Sequence, residues 1–159
     1  MTTVTTVNGL PAHILLNHVV VVLGPLTAIL AIICALWAAA RRRWIWLVLV
    51  LSAVTLIVTP LTTSSGAWLM GKVGASPPVR VHADLGETLI YFVACLAAAL
   101  TLLAAVHVRQ ARGNTVRLAL HAVVGVLVIA AAVATMIQTY RIGDSGARAA
   151  WGNTESSSP

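Results

Sequence analysis

Four long apolar stretches, each about as long as a bilayer is thick, constrain this sequence more than any other feature. They run over residues 19–40, 44–63, 87–108 and 118–140 of the 159-residue chain. About 20 apolar residues in a helix cross a hydrocarbon core of roughly 30 Å. Strands that span a membrane alternate with period two and close into a barrel, and these stretches show no such alternation. We therefore expect an all-α fold, an up-and-down bundle of four transmembrane helices.

The scarcity of charge agrees with that expectation. Only 9% of the residues are charged and 59% are hydrophobic, whereas a soluble domain carries about 25% charged residues. The net charge of +6 does not indicate nucleic acid, because arginine beside membrane spans is a topology signal and no basic stripe with interleaved aromatic residues is present. We expect contact with the lipid bilayer, no nucleic-acid partner and no water-soluble form.

The distribution of lysine and arginine predicts the orientation. Six arginines flank the two short connections between spans: Arg41, Arg42, Arg43, Arg109, Arg112 and Arg117. Four basic residues lie on the other side: Lys72, Arg80, Arg141 and Arg148. The positive-inside rule then places both short connections in the cytoplasm and both termini outside, in the plasma (inner) membrane. The predicted organisation is an outer segment over residues 1–18, a membrane domain over 19–140 and a partly disordered outer tail over 141–159.

Five histidines are the residues most indicative of chemistry. His13, His18 and His82 fall at the outer ends of the first and third spans, and His107 and His121 fall near the cytoplasmic ends of the third and fourth. An ionisable residue at membrane depth is costly unless it is paired or ligated, so each is a candidate for function.

The outer layer also carries carboxylates. Imidazoles and carboxylates that converge from several helix ends are how bundles build metal sites. His13 and His18 are five residues apart, and on a regular helix this spacing directs their rings about 140° apart. Both rings can therefore bind one ion only if His13 precedes the helix and its loop turns the ring back. The candidate ligands of a transition metal are His13, His18, His82, Asp84, Glu87 and Asp144.

Haem is a second possibility for the same histidines. His82 and His121 each begin a His-x-x-x-Gly pattern, which ends at Gly86 and Gly125 respectively. A glycine one turn along the helix would give a flat macrocycle room beside an axial imidazole. Two histidines at one depth on facing helices would supply two axial ligands to haem b. The candidate pairs are His18 with His82 on the outer side, and His107 with His121 on the inner side.

Structural roles compete with each of these assignments. His107 also fits a polar helix end, and His121 a hydrogen bond to a neighbouring helix. Asp84 and Glu87 fit favourable charges near a helix N-terminus, and Asp144 between glycines fits a turn. The sequence contains no recognisable pairing of a nucleophile with a base, so we assign no catalytic residues and do not expect an enzyme.

The segment from Gly9 to His18 resembles the Gly-x-Pro-x-His-x-x-x-x-His opening of a bacterial four-span membrane family of unknown function. His82 and the Tyr-x-x-Gly of Tyr140 to Gly143 are also similar, and the resemblance covers residues 9 to 152. Some members of that family are joined to Rieske-type iron–sulphur domains, which implies a role near membrane electron transfer. Ile14 stands where relatives often have proline, and no Rieske ligands follow in this sequence, so a redox role implies a bound cofactor or a partner protein.

These observations lead to one main prediction and two alternatives. We expect an integral membrane protein of redox association that binds haem or a transition metal at its outer face and meets a redox partner protein. The first alternative is a non-catalytic accessory or assembly subunit of a larger respiratory complex, with structural histidines. A solute transporter is the second, although four spans without a broken-helix pair offer little cavity.

Overall fold

The protein folds into a bundle of four long helices. A computed structural model describes residues 6–7 and 10–152. The helices are α1 (Ala12–Leu36), α2 (Ala38–Val73), α3 (Pro77–Ala111) and α4 (Leu118–Trp151). Before α1, two-residue strands β1 (Thr6–Val7) and β2 (Leu10–Pro11) pair in antiparallel fashion. All four helices are long and apolar enough to cross a membrane, so the predicted all-α bundle is confirmed and the chain is a multi-pass membrane protein.

The helices pack in chain order around a square. Each packs against its neighbours in sequence, α4 closes the square against α1, and the diagonal pair α1 and α3 barely touch. Because the chain runs up and down, the starts of α1 and α3 meet the ends of α2 and α4 at one end of the bundle. We call this the histidine end. The opposite end, with the α1–α2 and α3–α4 connections, is the arginine end.

The first connection differs from the predicted one. The sequence places the span boundary at the arginine triplet 41–43, but α1 ends at Leu36 and only Trp37, with extended backbone angles of φ −123° and ψ 109°, separates it from α2. The arginines therefore lie in the first turns of α2, after three alanines. Alanine and arginine are both strong helix formers, so the helix begins before the charges rather than after them.

The helices also run beyond the predicted spans at the histidine end. α2 has 36 residues and is therefore about 54 Å long, well over a hydrocarbon core of roughly 30 Å. α1 begins at Ala12, α3 begins at Pro77 and α4 continues to Trp151. Hydropathy marks only the apolar part of a helix, and these polar turns stay helical because they pack on one another. The predicted outer segment and tail are thus partly helical, and residues 153–159 lie outside the described range.

The core changes character along the bundle axis. Toward the arginine end it is apolar, with Cys34, Ile45, Leu100 and Val128 fully buried. Toward the histidine end, buried hydroxyl groups line the faces of α2 and α4: Thr55, Thr59, Thr62, Ser65, Thr135, Thr139 and Ser145. Each of these hydroxyls donates to a carbonyl three or four residues earlier in its own helix. These seven O–H groups are thereby satisfied inside the bundle, and the row of hydroxyls continues up to the histidines.

Candidate functional site

His13 lies in the first turn of α1 with its ring inserted toward α2. Its Nδ1 lies 2.9 Å from the main-chain carbonyl oxygen of Thr62. Because a carbonyl oxygen only accepts, Nδ1 carries the hydrogen and donates it. The ring fits there because residue 66 is glycine: a Cβ at Gly66 would lie 2.9 Å from two ring atoms, Cε1 and Nδ1. Both the orientation and the tautomer of His13 are therefore set by α2.

His82 is held by α4 in the same manner. Its Nδ1 lies 3.1 Å from the carbonyl oxygen of Ile142 and 3.2 Å from Oγ of Ser145. The Ser145 hydroxyl itself donates to the Ile142 carbonyl at 2.9 Å, so the carbonyl fixes Nδ1 of His82 as a donor. A Cβ at Gly146 would approach the ring to 3.1 Å. A main-chain carbonyl and a glycine of the neighbouring helix therefore orient this ring too.

The two histidines meet at the histidine end of the bundle. Their ring centroids are 6.3 Å apart and the ring planes make an angle of 79°. Both Nδ1–H groups are engaged with carbonyls, so in the neutral form of each ring Nε2 is the nitrogen that carries the lone pair. Histidines that bind metals almost always donate their other ring N–H to a carbonyl or carboxylate, which orients the ring and raises its basicity.

A cavity of about 110 Å³ lies between the helices at this point. It is too small for a drug-sized ligand, since such pockets measure roughly 300–1,000 Å³. Both histidines line it, together with Met70, Glu87 and Asn17. Most of the remaining wall consists of apolar residues and residues with hydroxyl groups, including Val20, Leu69, Leu89, Thr59, Thr62, Thr63 and Thr139. An ion or a molecule of a few atoms fits this space.

The structure does not bring His18 to this cavity. His18 is exposed, and its Nδ1 donates to the carbonyl oxygen of Ile14 one turn earlier at 2.6 Å. His13 belongs to the first turn of α1. The expected arrangement in which His13 precedes the helix, so that its ring can turn toward His18, therefore does not occur. The five-residue rotation directs the two rings to different sides of α1. The pair that meets is therefore His13 with His82, rather than His18 with His82.

The predicted carboxylates are dispersed over the surface. Glu87 is exposed where it borders the cavity, and Asp84 is exposed on α3. Asp144 is also exposed and forms an ion pair with Arg148, one turn later in α4, at 3.1 Å. Within residues 6–7 and 10–152, no three side chains of histidine, cysteine, aspartate or glutamate lie close enough together to hold a metal ion. As they stand in the structure, His13 and His82 therefore have no third ligand of these residue types within reach.

The inner histidines lie at the arginine end, where the prediction put them. Both are partly buried, and Nε2 of His121 is buried without a hydrogen-bond partner. Arg41 lies within electrostatic range of both rings. The glycines of the two His-x-x-x-Gly patterns do not crowd a ring, since a Cβ at Gly86 or Gly125 would meet nothing within 4 Å. The glycines that contact imidazoles belong instead to neighbouring helices.

Several residues of this site carry no signal in the sequence. Gly66 and Gly146 contact the rings, Thr62 and Ile142 bind the rings through main-chain carbonyls, and Met70 resembles an ordinary apolar residue in the sequence. Only the register between helices reveals them. The spacing of four residues recurs among them, in Thr62, Gly66 and Met70 on α2 and in Ile142 and Gly146 on α4, and it places each set on one helix face.

No family model, no curated protein and no solved structure matches this chain. The resemblance to the four-span family therefore stays a prediction.

Proposed function

We propose that this membrane protein binds a transition-metal ion between Nε2 of His13 and Nε2 of His82 and takes part in membrane electron transfer. The observation that carries the proposal is the pair of Nδ1–H···O=C hydrogen bonds, to Thr62 and to Ile142. In the neutral form of each ring these bonds make Nε2 the nitrogen that can ligate a metal, and both rings line one cavity. The role in electron transfer, with a redox partner protein, rests on the family resemblance. A transition-metal ion fits this role, since many such ions change oxidation state when bound.

The distances favour a single ion. Two imidazoles that share one ion through bonds of about 2.0–2.1 Å hold their ring centroids roughly 5–6 Å apart. The centroids of His13 and His82 are 6.3 Å apart, slightly beyond this range, so an ion bound by both rings would draw them closer together. A haem would need far more room than the 110 Å³ of this cavity. Between the two predicted cofactors, the geometry therefore supports the ion better than haem b.

The choice of ion depends on the third ligand. Met70 offers a soft thioether and Glu87 a hard carboxylate, and both border the cavity. Imidazoles with a thioether favour copper, whereas imidazoles with a carboxylate suit zinc or iron(II). Met70 is partly buried and Glu87 is exposed. Since the cavity is largely apolar, we favour Met70 and hence copper.

We further propose the inner (plasma) membrane as the location, with the histidine end outside the cytoplasm. The support is the charge distribution: six arginines adjoin the connections at the arginine end, and four basic residues lie toward the histidine end. The metal would then face the outer compartment, where an extracytoplasmic redox partner can reach it.

The experiment is metal loading of the full chain in detergent micelles. Wild-type protein is incubated separately with Cu(II), Zn(II), Fe(II) or haem, desalted and analysed for bound metal and for a Soret band. We expect about one ion per chain, lost in His13→Ala and in His82→Ala. His18→Ala is the matched control, because it removes an exposed histidine from the same helix. Protein that stays metal-free with all four additives would contradict the proposal.

A second candidate is an accessory subunit in which the histidines are structural. The observation in its favour is that the same two hydrogen bonds join α1 to α2 and α3 to α4. This role predicts that His13→Ala lowers the thermal stability of a metal-free protein and that a partner co-purifies. Helical content and melting temperature, measured on the same variants with and without metal, separate the two candidates.

A further inference from the structure

Arg41 is a buried cation at the arginine end. Its side chain is 5% exposed, whereas the adjacent Arg42 and Arg43 are exposed. Its NH1 donates to the carbonyl oxygen of Cys34 in the last turn of α1 at 3.2 Å. Its Nε is buried and has no hydrogen-bond partner. One nitrogen of the guanidinium, NH1, is thus hydrogen-bonded, whereas another, Nε, is buried without a partner.

No carboxylate of the described chain compensates this charge. The acidic residues between positions 10 and 152 are Asp84, Glu87 and Asp144, and all of them belong to the histidine end. The charged side chain that acts electrostatically on Arg41 is another cation, Arg42. A buried charge without a partner is strongly unfavourable, and intramembrane cations are normally paired. An anion from outside the chain would supply what the fold lacks.

A second unsatisfied group lies at the same end of the bundle as Arg41. His121, in the first turn of α4, lies within electrostatic range of Arg41 and has a buried Nε2 without a partner. The N-cap of α4, Arg117, provides no side-chain hydrogen bond to the first turn, so the helix N-terminus beside His121 is also uncapped by its own side chain. An anion at this point would meet a guanidinium, an imidazole and the positive end of a helix.

We propose that Arg41, with His121 beside it, binds an anionic phosphate group at the arginine end of the bundle. Guanidinium groups match phosphate oxygens with paired N–H donors. The site lies toward the arginine end of the apolar core, and basic pockets between transmembrane helices recognise anionic phospholipids. Inorganic phosphate offers the same chemistry, so the experiment includes both sources. This inference does not depend on the metal proposal.

The test titrates delipidated full-length protein in an uncharged detergent with three probes: phosphatidylglycerol, diacylglycerol and inorganic phosphate. Diacylglycerol is the matched control because it lacks the phosphate. Retained lipid is counted by native mass spectrometry, and stabilisation is followed by thermal unfolding. We expect preferential retention of phosphatidylglycerol, with Arg41→Gln weakening it about tenfold, as expected for loss of a charged hydrogen bond. The exposed neighbour offers the control Arg43→Gln, which should change affinity less than about twofold.

Each outcome decides the matter. Stabilisation of wild type but not Arg41→Gln by inorganic phosphate alone also supports the site, with free phosphate as its source. Equal retention of both lipids without any effect of phosphate would overturn the proposed phosphate site. Arg41 would then serve only to cap the end of α1 through the Cys34 carbonyl. An equal loss in Arg43→Gln would overturn it as well, since diffuse charge would then explain binding. If Arg41→Gln does not fold, Arg41→Lys, which keeps the charge but not the paired donors, decides by the same tenfold criterion.

Discussion

The imidazole of His13 rests against Gly66 of the neighbouring helix, where a Cβ would lie 2.9 Å from the ring. A main-chain carbonyl one turn earlier in α2, that of Thr62, receives the Nδ1–H of the same ring. A glycine and a carbonyl of one helix therefore orient a histidine of another. The same combination recurs at His82 with Gly146 and Ile142, which makes the paired arrangement a property of the whole histidine end.

Gly66→Ala should displace the His13 ring. The added methyl group overlaps the imidazole, so we expect a loss of about 1–3 kcal/mol in the free energy of unfolding, together with weaker metal binding. Gly71→Ala is the control, because a Cβ there meets nothing within 4 Å and alanine in a helix is favoured by about 0.5–1 kcal/mol. Thermal unfolding and metal titration of both variants check this. Equal behaviour of the two would mean that His13 does not depend on Gly66.

Gly146→Ala and Gly86→Ala distinguish contact between helices from the His-x-x-x-Gly pattern within one helix. A Cβ at Gly146 approaches His82 to 3.1 Å, whereas one at Gly86 meets nothing within 4 Å. We expect Gly146→Ala to cost about 1 kcal/mol and Gly86→Ala to be neutral or stabilising. Chemical unfolding in micelles measures both. Greater destabilisation by Gly86→Ala would show that the glycine of the pattern matters and that the packing described for His82 is wrong.

Met70→Leu should weaken copper binding while keeping the volume of the side chain. We expect the affinity for Cu(I) to fall about tenfold, the lower end of what losing a metal-supporting side chain costs, because leucine has no ligand atom. Glu87→Gln, at the exposed border of the same cavity, should change it less than about twofold. Competition with a colorimetric Cu(I) chelator under anaerobic conditions gives both affinities. A larger effect of Glu87→Gln would assign the third ligand to the carboxylate instead.

The orientation can be tested with reporter fusions. Because six arginines adjoin the connections at the arginine end, the positive-inside rule predicts that this end is cytoplasmic. Alkaline phosphatase fused to the C-terminus should be active, and fluorescent protein fused after Gly113 should fluoresce. The reciprocal fusions are the control and should be inactive. The opposite pattern would place the histidine end in the cytoplasm.

Much of the architecture follows from the sequence, and the site follows only in part. Apolar length suffices to predict four spanning helices, but not that α1 stops at Leu36 or that α2 continues to Val73, because polar turns owe their stability to packing. The sequence indicates His13 and His82 as candidates at one end. It does not indicate that Gly66 and Gly146 contact the two rings, because a single sequence does not show which residues of neighbouring helices face each other. Rotation along α1 separates His18 from His13, yet only packing decides which of them faces inward.

The most direct test of the central claim is pulsed electron paramagnetic resonance of the protein loaded with one equivalent of Cu(II). Copper is a suitable probe because imidazole sites bind it more tightly than other divalent first-row metals. Ligation through Nε2 leaves the protonated Nδ1 as a remote nitrogen, whose modulation reports each bound imidazole. We predict two imidazoles in wild-type protein and in His18→Ala, and no more than one in the copper that His13→Ala or His82→Ala still holds. Modulation that is unchanged by both substitutions, or lost in His18→Ala, would contradict it.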